Sequence, residues 1–422
     1  MDESSSSSSS SSWSEIIGSN NWENILNPLD LNLRKLILRC GDLCQATYDS
    51  FNNDQNSKYC GSCRYAKHDL FQKVMFDESD QYQVHSFLYA TAQVSLPEAF
   101  LLHSQSRESW DRESNWIGYI AVSTDERTKI LGRREIYIAL RGTTRNYEWI
   151  NVFGAKLRSA KVLLKGSNIS SSEINWNDSD SDSSSDGEGD GIENPKVMLG
   201  WLTIYTSDNP KSPFTKLSMR QQLLSKINEI KHLYKHDSLS IILTGHSLGA
   251  SLSILAAFDL VENGVTDIPV TSIVFGSPQV GNRSFRHRLN EYPNLKVLHV
   301  KNKIDLLVHY PGHLLGYVNI GTEFEIDTRK SPFLKDSKTP GDWHNLQAML
   351  HIVAGWNGEE NEFELRVKRS VALVNKSCEF LKDECLVPGS WWVEKNKGMV
   401  RDKDGEWMVA PPDEEDLPVP EY

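Results

Sequence analysis

The stretch LSIILTGHSLGASLSILAAFDL, residues 239–260, decides how the rest of the chain is read. A run of branched apolar residues reads as a buried strand as far as Thr244, and the Leu, Ala and Ile pattern after Gly249 reads as a helix. Between them stands the pentapeptide Gly245-His246-Ser247-Leu248-Gly249. Its two glycines remove side chains where strand and helix must pass most closely around a strained serine, which would lift the hydroxyl above the carboxyl edge of a sheet. The competing reading makes Ser247 an ordinary cap of the helix that follows.

Working outward, REIYIALRGTT, TSIVFGSPQVGN and LKVLHVKNKIDLLVHYP read as strands ending in turns or loops. YVNIGTEFEID alternates, with Val318, Ile320, Thr322, Phe324 and Ile326 on one face. Helices are expected in VMLGWLTIYTS, in SMRQQLLSKINEIKHLY with Leu223, Leu224, Ile227, Ile230 and Leu233 on its apolar face, and from near Trp343 in DWHNLQAMLHIVAGW. Continuous apolar strands alternating with amphipathic helices imply an α/β fold, a mostly parallel sheet with helices on both faces. The expected organisation is a Ser-rich disordered tail over 1–14, one domain over 15–400 and a tail over 401–422. Within the domain lie a helical buttress over 15–130, a catalytic core over 131–355 and a disordered acidic insert over 166–195.

With 422 residues and a net charge of -12, the chain offers no extended basic face for nucleic acid. No segment reads as a bilayer span, so lipid contact is expected to be peripheral. The start, MDESSSSSSSSSWSEII, has acids and serines where a secretory or transit segment has basic and apolar residues, so a cytoplasmic location is expected. Cys60 and Cys63 in CGSC invite a metal or redox reading, yet paired loop ligands are missing and no metal is expected. Cys40 and Cys44 fall on the buried stripe of an amphipathic helix as small hydrophobes.

A serine hydroxyl needs a base, and the base needs a carboxylate that fixes its tautomer. In an open α/β sheet these follow on later loops in the order Ser, acid, His. Asp305 stands just past LKVLHV, at the edge where Ser247 should emerge; Asp327 is the alternative. His309 and His313 share the loop of the acid and suit a rim. His344 and His351, seven residues apart on one expected helix, lie about 10 Å apart along its axis. His344 is then the expected base, His351 its alternative, and His246 a support of the turn. The negative charge developing on an attacked carbonyl needs N–H donors. Leu248 follows the nucleophile, and ALRGTT offers Thr143 after Gly142.

These blocks, together with LDLNLRKLILRCGDLCQATYDSF, IYIALRGTTRNYEWINVF, VFGSPQVGN, DWHNLQAMLHIVAG and the tail VPGSWWVEKNKGMVRDKDGEW, resemble the class 3 lipases, most nearly the cytosolic class II phospholipases A1 of plants. The resemblance implies an α/β-hydrolase fold and release of the sn-1 fatty acid from glycerophospholipids at a membrane or micelle surface. It implies Ser247 as nucleophile, Asp305 as orienting acid and His344 as base, with no cofactor. It also places a lid at NYEWI, with Trp149, and so implies interfacial activation. A lipase of the same mechanism acting on galactolipids or acylglycerols, and a non-catalytic lipase-like scaffold, are the alternative readings. Oligomeric state is left open.

Overall fold

Ser240, Ile241, Ile242, Leu243 and Thr244 are all buried because their strand lies at the centre of a sheet that helices cover on both faces. The computed structural model describes residues 11–93, 101–143, 156–166 and 194–392, and beyond them 399–401, 403–404, 407–409 and 413–421. Its main sheet has seven strands: β1 (Tyr82–Ala90), β2 (Asn115–Ser123), β3 (Arg134–Leu140), β6 (Leu239–His246), β7 (Val270–Phe275), β8 (Leu295–Asn302) and β9 (Thr322–Ile326), side by side in that order. The first two joins are antiparallel, and every join from β3 to β9 is parallel. A two-stranded ladder of β4 (Leu157–Ser159) and β5 (Lys196–Met198) closes the base of the acidic insert. The central residues of that insert, and NYEWI with Trp149, lie outside the described residues. A second small ladder joins β10 (Met399–Arg401) and β11 (Trp407–Val409).

Alternation along the strands divides the core in two. Tyr137, Ile242, Ile273, Leu298 and Phe324 face the helices α2 (Leu31–Ser50) and α10 (Leu346–Gly355). Ile136, Ile138, Ile241, Leu243 and Val274 face α5 (Leu199–Thr206), α6 (Met219–Leu233), α7 (Leu248–Glu262) and α8 (Arg283–Asn290). Short helices α1 (Trp13–Ile16), α3 (Leu70–Lys73), α4 (Asp125–Leu131) and α9 (Pro340–Trp343) complete the frame. Cys40 and Cys44 are buried within α2, as the stripe implies.

Several expectations change. The 15–130 segment supplies two strands to the sheet: β2, which is the strand NWIGYIAVS leads one to expect there, and β1, which was not expected. Leu233, expected on the apolar face of α6, is exposed because the helix ends there, past the edge of the core. The last parallel strand is only Thr322–Ile326; Val318 instead bridges to Gly281. His344 and His351 do not share a helix. Helix α9 stops at Trp343, Asn345 turns extended and caps α10 by accepting the Ala348 N–H at 2.9 Å, and His344 lies in the break.

Candidate active site

Strand β6 and helix α7 meet at Ser247, whose φ of +58° and ψ of -126° an L-residue adopts only under constraint. The constraint is close packing. A methyl at Gly245 would run into the backbone of Gly249, and one at Gly249 into the carbonyl of Leu140 at the end of β3. Strand, helix and neighbouring strand can approach this closely only because both positions lack a side chain. The Ser247 hydroxyl makes no cap bond to its helix and is buried without a hydrogen-bond partner among the described residues. A capping serine would spend that oxygen on the N–H groups of the first turn, so the plain-cap reading does not describe it.

His344 is buried and its Nδ1 lies 2.5 Å from Oδ2 of Asp305, itself buried just past β8. The other Asp305 oxygen accepts the Leu307 N–H at 2.9 Å. A carboxylate facing Nδ1 fixes the proton there and leaves Nε2 as the basic nitrogen. The backbone of this histidine is gripped from two sides. Asn302, the last residue of β8, donates to the Trp343 carbonyl at 2.7 Å, and His246 Nε2–H donates to the His344 carbonyl at 2.8 Å. Tyr48, near the end of α2, donates its hydroxyl to His246 Nδ1 at 2.9 Å. Burial, then the nearby His344, hold the His246 pKa well below the usual histidine value, so it is neutral and fits this tautomer.

Ser247 and His344 meet at one short piece of chain. The Ser247 N–H donates to the Phe275 carbonyl at 3.1 Å, and His344 Cε1 fills the space beside Gly276, 2.8 Å from where a Cβ would stand. The His246 and His344 ring centroids are 4.5 Å apart. Register explains the convergence: Leu140 pairs with Gly245, His246 with Phe275, and Phe275 with Val300, so four strands release their loops at one edge.

The same edge carries the expected donors. Leu248 opens α7, where a backbone N–H has no acceptor within the helix. Thr143, half-buried, follows Gly142, whose vacant side-chain position lies against Tyr48 and the His246 carbonyl and 3.2 Å from Ser247 Cβ. Arg141, between the apolar run of β3 and Gly142, does more than end the strand. It is fully buried, donates to the Gly142 carbonyl at 2.7 Å and stacks 3.7 Å above Phe51, while burial pushes its pKa down to about 10. The loop holding Thr143 is thereby fixed from inside. A charged residue directly between an apolar strand and a glycine was the available signal.

The remaining candidates lie elsewhere. His351 bonds the Ser331 hydroxyl at 2.8 Å between Phe333 and Phe363, and burial lowers its pKa to about 4. Asp327 is engaged by Arg329 at 2.6 Å. His309 and His313 are exposed on the loop beyond Asp305. Among the described residues no cluster of three or more potential metal ligands occurs, and Cys60 and Cys63 are buried free thiols.

A family model described as Lipase (class 3) matches residues 137–315. Phospholipase A1-IIdelta of Arabidopsis thaliana is 64% identical over 416 residues, 97% of this chain and 98% of that protein. Phospholipase A1-II 5 of Oryza sativa subsp. japonica is 49% identical over 414 residues, 97% of this chain and 84% of that one. Among solved structures, a lipase from Rhizopus microsporus var. chinensis aligns at 16% identity and a TM-score of 0.42, covering 71% of this chain and 76% of its own.

Proposed function

The chain belongs to the class 3 lipase family, alongside the class II phospholipases A1 of plants, and from that premise we propose that it releases the sn-1 fatty acid of glycerophospholipids through an acyl-enzyme on Ser247. The observation that supports this reading is the Ser247 hydroxyl, strained, uncapped and unpartnered among the described residues, at the sheet edge that also carries the buried His344–Asp305 pair.

In the proposed reaction Ser247 Oγ attacks the ester carbonyl as its proton passes to His344 Nε2. The imidazolium that forms is stabilised by Asp305, which keeps its own negative charge. The negative charge on the carbonyl oxygen is met by the N–H groups of Leu248 and Thr143. Collapse breaks the bond to the glycerol oxygen, which takes the proton from His344 and leaves as the lysophospholipid. Water, deprotonated by the same nitrogen, then releases the fatty acid and restores Ser247. Nothing in these steps calls for a metal or organic cofactor.

Encounter with a membrane or micelle surface is peripheral in this proposal, and buried free thiols suit a reducing, cytoplasmic setting. Among the described residues no helix is long and apolar enough to cross a membrane. The test supplies a phosphatidylcholine with distinguishable sn-1 and sn-2 chains to the protein and to Ser247→Ala. Release from sn-1, reduced by several orders of magnitude in the variant, is expected. Release mainly from sn-2, or undiminished release by the variant, would overturn the proposal.

A further inference from the structure

Residues 306–322, LLVHYPGHLLGYVNIGT, contain no Asp, Glu, Lys or Arg, in a protein whose net charge is -12. Within them Leu306 is 66% exposed, Leu314 fully exposed and Leu315 53% exposed. Single exposed leucines are ordinary; two adjacent ones on a fixed support, with a third, Leu306, on the same uncharged segment, are not.

The support is built. Leu314 and Leu315 ride on one 3₁₀ turn, His313–Leu315, bracketed by Gly312 and Gly316 at φ of +105° and +83°. Buried Gln279 holds the base of the turn. Its side-chain oxygen accepts the Gly312 N–H at 2.9 Å, its backbone N–H donates to Tyr310 at 2.8 Å, and its amide donates to Asn319 at 2.9 Å. His313 Nδ1–H donates to the Tyr317 carbonyl at 2.8 Å, and Tyr317 is buried. Rigid hydrogen bonding therefore keeps two leucines in water. Gln279 follows β7 and Asp305 follows β8, so the turn stands at the edge of the sheet where Ser247 opens.

We propose that this turn, with Leu314 and Leu315 at its tip, is the element that enters a phospholipid surface and brings that edge against it. The inference rests on the reading of Ser247 as a lipid acyl hydrolase. A lipid layer is the occupant that fits. Leucine enters it favourably while Asp, Lys and Arg resist entry, and the turn carries none of the three. A neutral tip also suits zwitterionic head groups, which an acidic protein approaches without the repulsion an anionic leaflet would impose.

The experiment uses the full chain, Leu314→Asp/Leu315→Asp and the control Ile130→Asp, which alters an exposed apolar residue on α4. Vesicles of ether-linked phosphatidylcholine measure binding without hydrolysis, and a soluble short-chain ester measures chemistry without a surface. Thermal melting checks folding. Expected are vesicle binding at least roughly tenfold weaker in the double variant, a matching fall in its ratio of vesicle-lipid to soluble-ester turnover, and no change for Ile130→Asp. Equal binding by the double variant and the unaltered protein would overturn the inference, as would an equal loss in the control. So would a dimer that the double variant dissolves, which would make a second copy the occupant. Failure of the underlying chemistry would show separately, as soluble-ester turnover that survives Ser247→Ala.

Discussion

Two buried histidines within eight residues of sequence differ in everything that makes a base. His344 has a carboxylate on Nδ1 and a backbone pinned by Asn302 and His246. His351 has a serine hydroxyl on Nε2, aromatic rings beside it and a pKa of about 4, lowered by burial and then by the nearby Arg369 charge, that keeps it neutral. Only the first has a group that would stabilise an imidazolium. His344→Ala should therefore lower kcat/KM by roughly four orders of magnitude or more. His351→Ala should stay within about tenfold of the unaltered enzyme while losing about 1–3 kcal/mol of stability through the lost packing and hydrogen bond. Steady-state kinetics on a soluble ester together with urea unfolding separates the two, and the opposite ranking would move the base to His351. Sequence reasoning reached His344 on a premise the structure replaces, a shared helix. The side chain points to Asp305 because the chain leaves α9 there, and Asn345 before an apolar run was the cap signal that marks such a break.

At the scale of elements, the turn from β6 to α7 depends on two backbones passing in contact. Gly249→Ala would drive a methyl into the Leu140 carbonyl and the Arg141 backbone, neither of which can swing aside as a side chain would. A loss of about 3 kcal/mol is expected, at the upper end for overpacking, with turnover lost in step because the same shift moves Ser247 and the Thr143 loop apart. Unchanged unfolding midpoints would show that α7 can slide to make room. The central strands β3, β6, β7 and β8 were legible since burial on both faces leaves an unbroken apolar run. Strand β1 was not. It lies at the edge, carries register shifts at Val84/Ser86 and Leu88/Tyr89, and places polar Ser86 at a buried position and Phe87 at a half-buried one, so its alternation of burial does not show as an alternation of apolar and polar residues. Arg141 was passed over for a related reason, that arginine is counted as a surface residue and here sits wholly inside.

Across the whole molecule, the ends of the chain converge on the N-terminal region and so on the site. Arg369 pairs with Asp42 at 2.8 Å and Lys376 with Asp49 at 2.6 Å, both on α2, the second next in sequence to the Tyr48 that steadies His246. Asp416 holds Lys73 and the Ala66 N–H, and Glu421 accepts from Phe87 on β1. None of these contacts has a periodic signature, which is why 401–422, with Asp416 and Glu421, read only as a tail. Burial on this scale also sets the response to acid. His246, His299 and His351 all have pKa values pushed below 6.5 chiefly by burial, the latter two to about 4. Below pH 6.5 the unfolded chain takes up protons that the folded one refuses, so each of these histidines removes stability as pH falls from 6.5 towards 4, at about 1.4 kcal/mol per pH unit. Asp259 runs the other way. Burial raises its pKa to about 6, so the folded state binds that proton first and regains stability as pH falls from 6 towards its unfolded value, and buried Asp49 and half-buried Glu421 share its sign. Because the opposing groups are common to any variant, a difference isolates one histidine. His351→Gln should be less stable than the unaltered protein at pH 7, and the gap should narrow by about 1.4 kcal/mol for each pH unit between 6 and 4, as the unaltered protein alone bears the cost of keeping that ring neutral. Urea unfolding of both proteins at pH 7, 6, 5 and 4.5 reads this directly; parallel curves would mean that His351 takes up its proton as readily folded as unfolded.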